Sequence, residues 1–376
     1  MSCSLCRLPF HPSPLSTKPR PAPAGALTDK QRSYLQWGVG MGKNIPGAVP
    51  TLEYLDNNIF GNVPGKPVLM VVMVTWESDN GTIVALHTVC ATLLRHMFGA
   101  ADDSKDSLTE LCQIELVLGR PLGGKYAGRF RHIDYEGVGK ANIDQFWISA
   151  DDDGLNMFSW SAFKASGLGW MLSRPDVFPK FHPVISRSRL TEIGDAPKTT
   201  SDIFTTQSLD ILHLLLPYLP NNSFVSLLST CRLLRHHALT TFQPHARTRV
   251  LELGWAVPLE IEYARATPVA AASMAHAVNR PVDGDWLLYL SQVHRKPSMQ
   301  ARRRIWALAS EVRHVYLTKK AFSEYEDVIG ADGQRIKTKQ RLELEKHMDF
   351  LMKMRAVANS KKQPPFSPSA KPFTPV

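Results

Sequence analysis

The sequence predicts an α+β protein: a small mixed N-terminal domain built on a β-hairpin, followed by a mainly helical domain. Three observations lead there. The stretch "KPVLMVVMVTWESDNGTIVALH" has hairpin grammar, with a β-branched run from Val68 to Trp76, then Asn80-Gly81, then Thr82 to Leu86. Asn-Gly supplies the positive φ that a tight turn needs. After residue 203 the apolar spacing changes to the helical period. Between these regions Ser186 to Asp202 is polar and reads as a linker.

The chain has 376 residues, enough for two domains. Pro12 to Pro23 and Pro364 to Pro375 are rich in proline, serine and lysine and cannot bury much surface. Residues 1–30 are therefore expected to be a mostly disordered tail, and 359–376 another. Residues 31–185 form the mixed domain, 186–202 the linker, 203–243 a compact helical motif and 244–358 a helical C-terminal region.

Within the mixed domain, "HTVCATLLRHMF" places Val89, Leu93, Leu94 and Met97 at helical spacing. "SLTELCQIELVLG" predicts a second helix, with Ser107 as N-cap, Glu110 three residues on and Gly119 at its end. The glycine-rich stretch around Tyr126 reads as loop. So does the acidic run Asp151 to Asp153, whose consecutive carboxylates diverge and lack the alternation of a calcium loop. "GVGMGK", Gly38 to Lys43, lacks the frame of a phosphate-binding loop.

In the C-terminal half, Leu209 to Leu219, Ser223 to Thr230 and Cys231 to Phe242 read as three short helices. Trp286, Leu287, Leu290 and Val293 form one apolar stripe. Ile305, Leu308, Ala309, Val312 and Tyr316 form another, with Pro297 marking the break between them. The second of these helices is expected to begin near Ser298, with Arg302, Arg303 and Arg304 mostly exposed. Leu342 to Val357 would form a last, less regular helix.

Apolar residues surround most of the Leu209–Leu219 helix: Leu209, Ile211, Leu212, Leu214, Leu215, Leu216, Tyr218 and Leu219. Such a helix lies either deep in a domain or between its domain and a partner. Both readings stand open on pattern alone. The order of residues adds a resemblance. Leu-Asp-Ile-Leu, Leu-Pro-Tyr-Leu-Pro, a polar step and Ser-Leu-Leu-Ser-Thr-Cys-Arg-Leu-Leu-Arg together resemble an F-box. Asp210, Ile211 and Leu212 sit where that motif has Glu-Ile-Leu. Tyr218-Leu219 match the end of its first helix, Leu227 and Leu228 its second, and Cys231, Arg232 and Arg235 its third element. Gln207-Ser208 stand where the motif begins Leu-Pro. The later "DWLLYLSQVHRKPSMQARRRIWALA" is similar to the helical tail of fungal F-box-containing proteins.

The resemblance implies a substrate-recruiting adaptor of a cullin–RING ubiquitin ligase, without catalysis of its own. The box would dock on a Skp-type adaptor, and the rest of the chain would present an unknown protein substrate. Leu209, Ile211, Leu212, Leu215, Leu219, Leu227 and Leu228 would be the partner-binding residues.

Cys3-x-x-Cys6 and His87-x-x-Cys90 have the ligand types and paired spacing of a tetrahedral zinc site, structural and closed. The same order of pairs occurs ahead of the box in the fungal proteins that the chain resembles. The alternative is that Cys90 is a small buried hydrophobe and that Cys3 and Cys6 belong to the tail. Five cysteines, an odd number, do not make a disulfide framework.

The net charge is +10, and residues 295–362 hold 17 Lys and Arg against 8 Asp and Glu. A basic segment meets nucleic acid, an acidic partner or a membrane surface, or is simply a solvated helix face. The rival function is nucleic-acid binding through Arg302, Arg303, Arg304, Lys319 and Lys320. No stretch reaches the roughly 18 apolar residues of a spanning helix, and the N-terminus lacks a secretory h-region. An intracellular protein, of cytoplasm or nucleus, with reduced thiols is expected.

Overall fold

A computed structural model describes residues 2–11, 22–36, 38–41, 84–99, 128–149, 156–194, 206–263, 284–323, 328–329, 335–336 and 346. These residues are mostly helical. Their strands form short two-stranded antiparallel pairs and no larger sheet. The run Val68 to Trp76 and its Asn-Gly turn, the helix expected from Ser107 to Gly119, the Asp151 to Asp153 loop and the C-terminal tail lie outside the described residues.

The first part of the chain does not behave as a tail. Residues 2–11 fold back on themselves through a bridge between Ser2 and Pro9. Leu5, Leu8 and Phe10 are buried, as are both cysteines. The proline-rich composition begins only at Pro12, so the apolar residues ahead of it are free to join a core. Next comes α1 (Asp29–Gln36), opened by a reciprocal capping box. The Thr28 N–H donates to Gln31 Oε1 at 3.0 Å, and the Gln31 N–H donates to Thr28 Oγ1 at 3.3 Å. Strand β1 (Gly38–Met41) pairs antiparallel with β2 (Val84–His87). The described partner of Val84–His87 is thus Gly38–Met41. Helix α2 (Thr88–Met97) follows β2 without a loop.

Further along, α3 (Tyr135–Gly139) is capped by the Asp134 carboxylate, which accepts from the Gly137 N–H. Strands β3 (Trp147–Ser149) and β4 (Asn156–Phe158) pair on either side of the acidic run. Helix α4 (Trp160–Ala165) and a 3₁₀ turn, Leu168–Leu172, complete the aromatic-rich part. Phe146, Phe158 and Phe163 pack there with ring centroids 5.3–6.2 Å apart.

The expected linker is partly structured: Arg187–Ile193 form α5, which packs on a helix of the C-terminal half. Its Arg189 pairs with the buried Asp285, and Asp285 in turn caps Trp286–Arg295 by accepting from the Leu288 N–H. Polar residues on α5 therefore do structural work that local composition does not reveal.

The helical half comprises α6 (Leu209–Leu215) continued by a 3₁₀ turn at Leu216–Tyr218, α7 (Asn221–Ser229), α8 (Arg232–Thr240) and α9 (Gln243–Glu252). Pro217 removes a backbone donor and converts the end of the expected helix into that turn. Then come α10 (Glu260–Tyr263), α11 (Trp286–Arg295) and the long α12 (Pro297–Ser323). Proline at the first position of α12 suits a helix start, where the missing N–H would have no partner. Strands β5 (Val328–Ile329) and β6 (Arg335–Ile336) pair beyond it.

Two apolar cores result, and they do not divide at residue 186. Among the described residues, one gathers buried side chains from Cys3 to Leu172 with Leu259 and the stripe Ile305, Leu308, Ala309, Val312, Val315 and Tyr316 of α12. The other gathers Phe181 and the helices from α6 to α11, with Met299. Helix α12 therefore belongs to both. Residues two apart on a helix point to nearly opposite sides. Arg302 accordingly turns to one core and Arg304 to the other, and both are buried, contrary to the exposed positions expected for them. Among the described residues no helix is long and apolar enough to cross a membrane.

Candidate metal centre and docking face

Cys3, Cys6, His87 and Cys90 come together. Each offers one ligand atom, and these atoms all lie within 4.8 Å of one another. All four side chains are buried. The geometry has local causes. His87 ends strand β2 in extended conformation and is the N-cap of α2, so Cys90, three residues on, lies on the same side of the first turn. The N-terminal loop is pinned to the same strand: the Ser4 N–H donates to Ala85 O at 2.8 Å. Within the loop, the Cys3 N–H donates to Leu8 O and the Arg7 N–H to Cys3 O. Arg7 takes a φ of 69°, a left-handed turn paid for by its side chain. That guanidinium is buried, and its Nε and Nη2 donate to Asp144 Oδ1 at 3.0 and 2.9 Å. Tyr135 adds a hydrogen bond from its hydroxyl to Ser4 O at 2.6 Å.

The His87 N–H donates to Cys3 Sγ at 3.4 Å, and Cys6 Sγ lies 3.3 Å from His87 Nδ1. Tetrahedral bonds of roughly 2.0–2.3 Å put neighbouring ligand atoms about 3.3–3.8 Å apart, so the cluster needs only a slight contraction around an ion. The electrostatics favour one. Burial alone would push the Cys3 thiol up, but hydrogen bonds from Cys6 and Cys90 and the charge of His87 hold it well below its ordinary range. Burial and then the neighbouring Cys3 and Cys6 push Cys90 up. His87 is lowered by burial yet raised more strongly by Cys6 and Cys3, to about 10. A Cys3 thiolate beside a charged His87 is thus the favoured pairing. The cluster can hold a metal ion. Phe10 and Tyr34 close it over, with ring centroids 4.4 and 5.3 Å from the imidazole of His87.

The leucine-rich helix is two-sided. Leu212 and Leu216 are buried in the second core, with Leu209 and Leu219 half-buried beside them. On the other side Ile211, Leu214, Leu215 and Tyr218 are exposed, Leu214 at 70% and Tyr218 at 87%. Those four follow the i, i+3, i+4, i+7 spacing of a single helix face. Of the seven residues expected to bind a partner, Ile211 and Leu215 lie on this outer face. Leu209, Leu219 and Leu227 are half-buried, and Leu212 and Leu228 are core. Leu212 and Leu228 are therefore unavailable to a partner, because they fill the space between α6, α7 and α8. Leu214 and Tyr218, outside the set expected to bind a partner, are the most exposed apolar residues of the segment. Splitting the apolar positions into two interleaved stripes would have found them.

Several contacts fix this corner. Arg249 of α9 donates through Nη1 to Asn221 Oδ1 at 2.7 Å and through Nη2 to Leu216 O at 2.5 Å, with its guanidinium 4.2 Å from the ring centroid of Phe224. His213 Nδ1 and His245 Nε2 are 2.7 Å apart. Cys231 caps α8, its Sγ accepting from the Leu234 N–H.

The basic cluster of the rival function is divided. Arg302 donates to both carboxylate oxygens of Glu262 at 2.7 Å and to Trp255 O at 2.8 Å. Arg304 donates to Gly139 O at 3.1 Å and to Cys6 O at 2.9 Å. Arg303 is exposed, and Lys319 and Lys320 are half-buried. Two of the five expected nucleic-acid contacts are therefore interior residues.

No protein-family model, curated protein or solved structure matches the chain.

Proposed function

We propose that this chain is an F-box-like adaptor that recruits a protein substrate to a cullin–RING ubiquitin ligase, acting through protein–protein contact rather than chemistry of its own. One observation carries the reading: the apolar face Ile211, Leu214, Leu215 and Tyr218 stands in solvent on α6 and its 3₁₀ turn, within the segment whose residue order resembles an F-box. An exposed cluster of large apolar side chains on short helices suits a helical partner surface. Tyrosine is enriched among the residues that carry most of an interface's binding energy. The Skp-type adaptor is the partner in this reading, and the N-terminal half presents the substrate.

The metal, in this proposal, is zinc. Soft thiolate ligands with one imidazole select zinc in a tetrahedral structural site. Cys3, Cys6, His87 and Cys90 would hold it, and it would tie the N-terminal loop to β2 and α2.

The test is capture of the full chain on an immobilised Skp-type adaptor. Wild type is expected to be retained, and Leu214→Asp combined with Tyr218→Ser to be lost. A folded wild-type chain that passes through unretained sinks the adaptor reading.

A further inference from the structure

The Arg304 guanidinium is buried, 5% exposed, on the side of α12 that faces the cysteine cluster. Two of its nitrogens have carbonyl partners, Gly139 O and Cys6 O. The third, Nη2, is buried without a hydrogen-bond partner among the described residues. A buried, incompletely bonded cation is costly unless an opposite charge lies close by. Among the described residues no carboxylate pairs with it as Glu262 pairs with Arg302. Burial disfavours its charge, and the groups that oppose this are those of the cluster, Cys6 and Cys90 foremost, with Tyr34 and Cys3. The site is shaped for this side chain. A Cβ added at Gly139 would stand 3.2 Å from both Nε and Nη2 of Arg304, so the absence of a side chain at 139 is what lets the guanidinium reach Cys6.

Three thiolates, one neutral imidazole and a divalent ion leave a single net negative charge in a dry site. We propose that Arg304 is the counter-charge of the metal centre: its guanidinium neutralises the zinc–thiolate assembly and orients the Cys3–Cys6 loop through the Cys6 carbonyl. This rests on the zinc reading above. It gives the loop, at the chain's beginning, an electrostatic dependence on a helix 298 residues away in sequence. Because α12 also joins the second core, the metal centre and the docking half share one helix. Arg304 is a positioning residue, not a ligand, since guanidinium does not bind metal.

The experiment measures zinc affinity of the full chain, stripped of metal under reducing conditions, by competition with a chromophoric chelator. Wild type is compared with Arg304→Met and Arg304→Lys, and the rise in Tm on zinc addition is recorded for each. Outer-shell partners of metal ligands contribute about 10–100-fold in affinity. Arg304→Met is expected to lose affinity by that factor and to show a smaller zinc-induced rise in Tm. Arg304→Lys, which keeps the charge, is expected to stay within a few-fold of wild type. Equal affinity in Arg304→Met and wild type overturns the proposal while leaving zinc in place. So does a Met variant whose Tm falls equally with and without zinc, the signature of a packing role alone. If the Met variant does not fold, the Lys variant decides: a loss of tenfold or more rejects the counter-charge role, and retention supports it. A wild-type chain that takes up no zinc removes the metal reading itself.

Discussion

Replacing Arg302 with methionine should destabilise the protein more than any surface change to the same basic segment. Arg302 is wholly buried and forms a two-pronged ion pair with Glu262, whose side chain is 8% exposed. It also bonds Trp255 O and lies 4.6 Å from the centre of the Phe178 ring. Methionine conserves much of the volume but strands the Glu262 carboxylate, apart from the Leu259 N–H that it accepts at 2.7 Å. Breaking a buried pair by removing one partner costs about 3–5 kcal/mol. With a urea dependence of roughly 2–3 kcal/mol per molar, the unfolding midpoint should fall by about 1–2.5 M. The assay is urea unfolding followed by tryptophan fluorescence, which reads Trp255 and Trp286 in the second core. Removing both charges, Arg302→Met with Glu262→Gln, should recover a large part of the loss, because no uncompensated charge remains. A single variant within about 0.5 kcal/mol of wild type, as expected of an exposed arginine, would refute the burial. A double variant less stable than the sum of the singles would refute the pairing.

The two sides of α6 should separate stability from binding. Leu214→Asp with Tyr218→Ser should leave stability within about 0.5 kcal/mol of wild type, whereas Leu212→Ala or Leu228→Ala should cost about 2–5 kcal/mol, both read from urea midpoints. Cys90→Ser should abolish metal uptake and loosen the N-terminal loop, seen by limited proteolysis as early cleavage within residues 2–11; a loop equally protected in the variant would count against a metal staple. Acidification should weaken the α6–α9 contact. His245 is held below its ordinary value by burial and then by His213 and Arg249, and His237 by burial and then by His236 and His213. The unfolded chain therefore takes up protons first, so this stabilisation is complete above about pH 6.5 and is lost as pH falls through the lowered values. Tm should drop between pH 7 and 5, and His245→Gln should flatten that slope; an unchanged slope would exclude the histidine pair as its source.

What the sequence revealed follows the range of its patterns. The His-x-x-Cys spacing is a local property of a strand running into a helix, so His87 and Cys90 were legible as neighbours. Cys3 and Cys6 were legible as a pair, but their meeting with His87 depends on the Ser4–Ala85 hydrogen bond, which leaves no trace in spacing. Prolines from Pro12 onward dominate the composition near the start of the chain and hide the core role of Leu5, Leu8 and Phe10. A charge run such as the arginines of α12 carries no local sign of burial. Their partners lie 40, 165 and 298 residues away, beyond any local period. The leucine-rich helix was legible as two-sided. Which side faces inward is settled only by where α7 and α8 close over it.

The most direct test of the account is sedimentation velocity of the zinc-loaded full chain mixed with a purified Skp-type adaptor. A one-to-one complex is expected with wild type and with Arg303→Gln, whose exposed charge plays no part. Free components are expected with Leu214→Asp, Tyr218→Ser. Wild type and adaptor sedimenting separately at tens of micromolar, with the chain folded and metal-loaded, would contradict the adaptor reading.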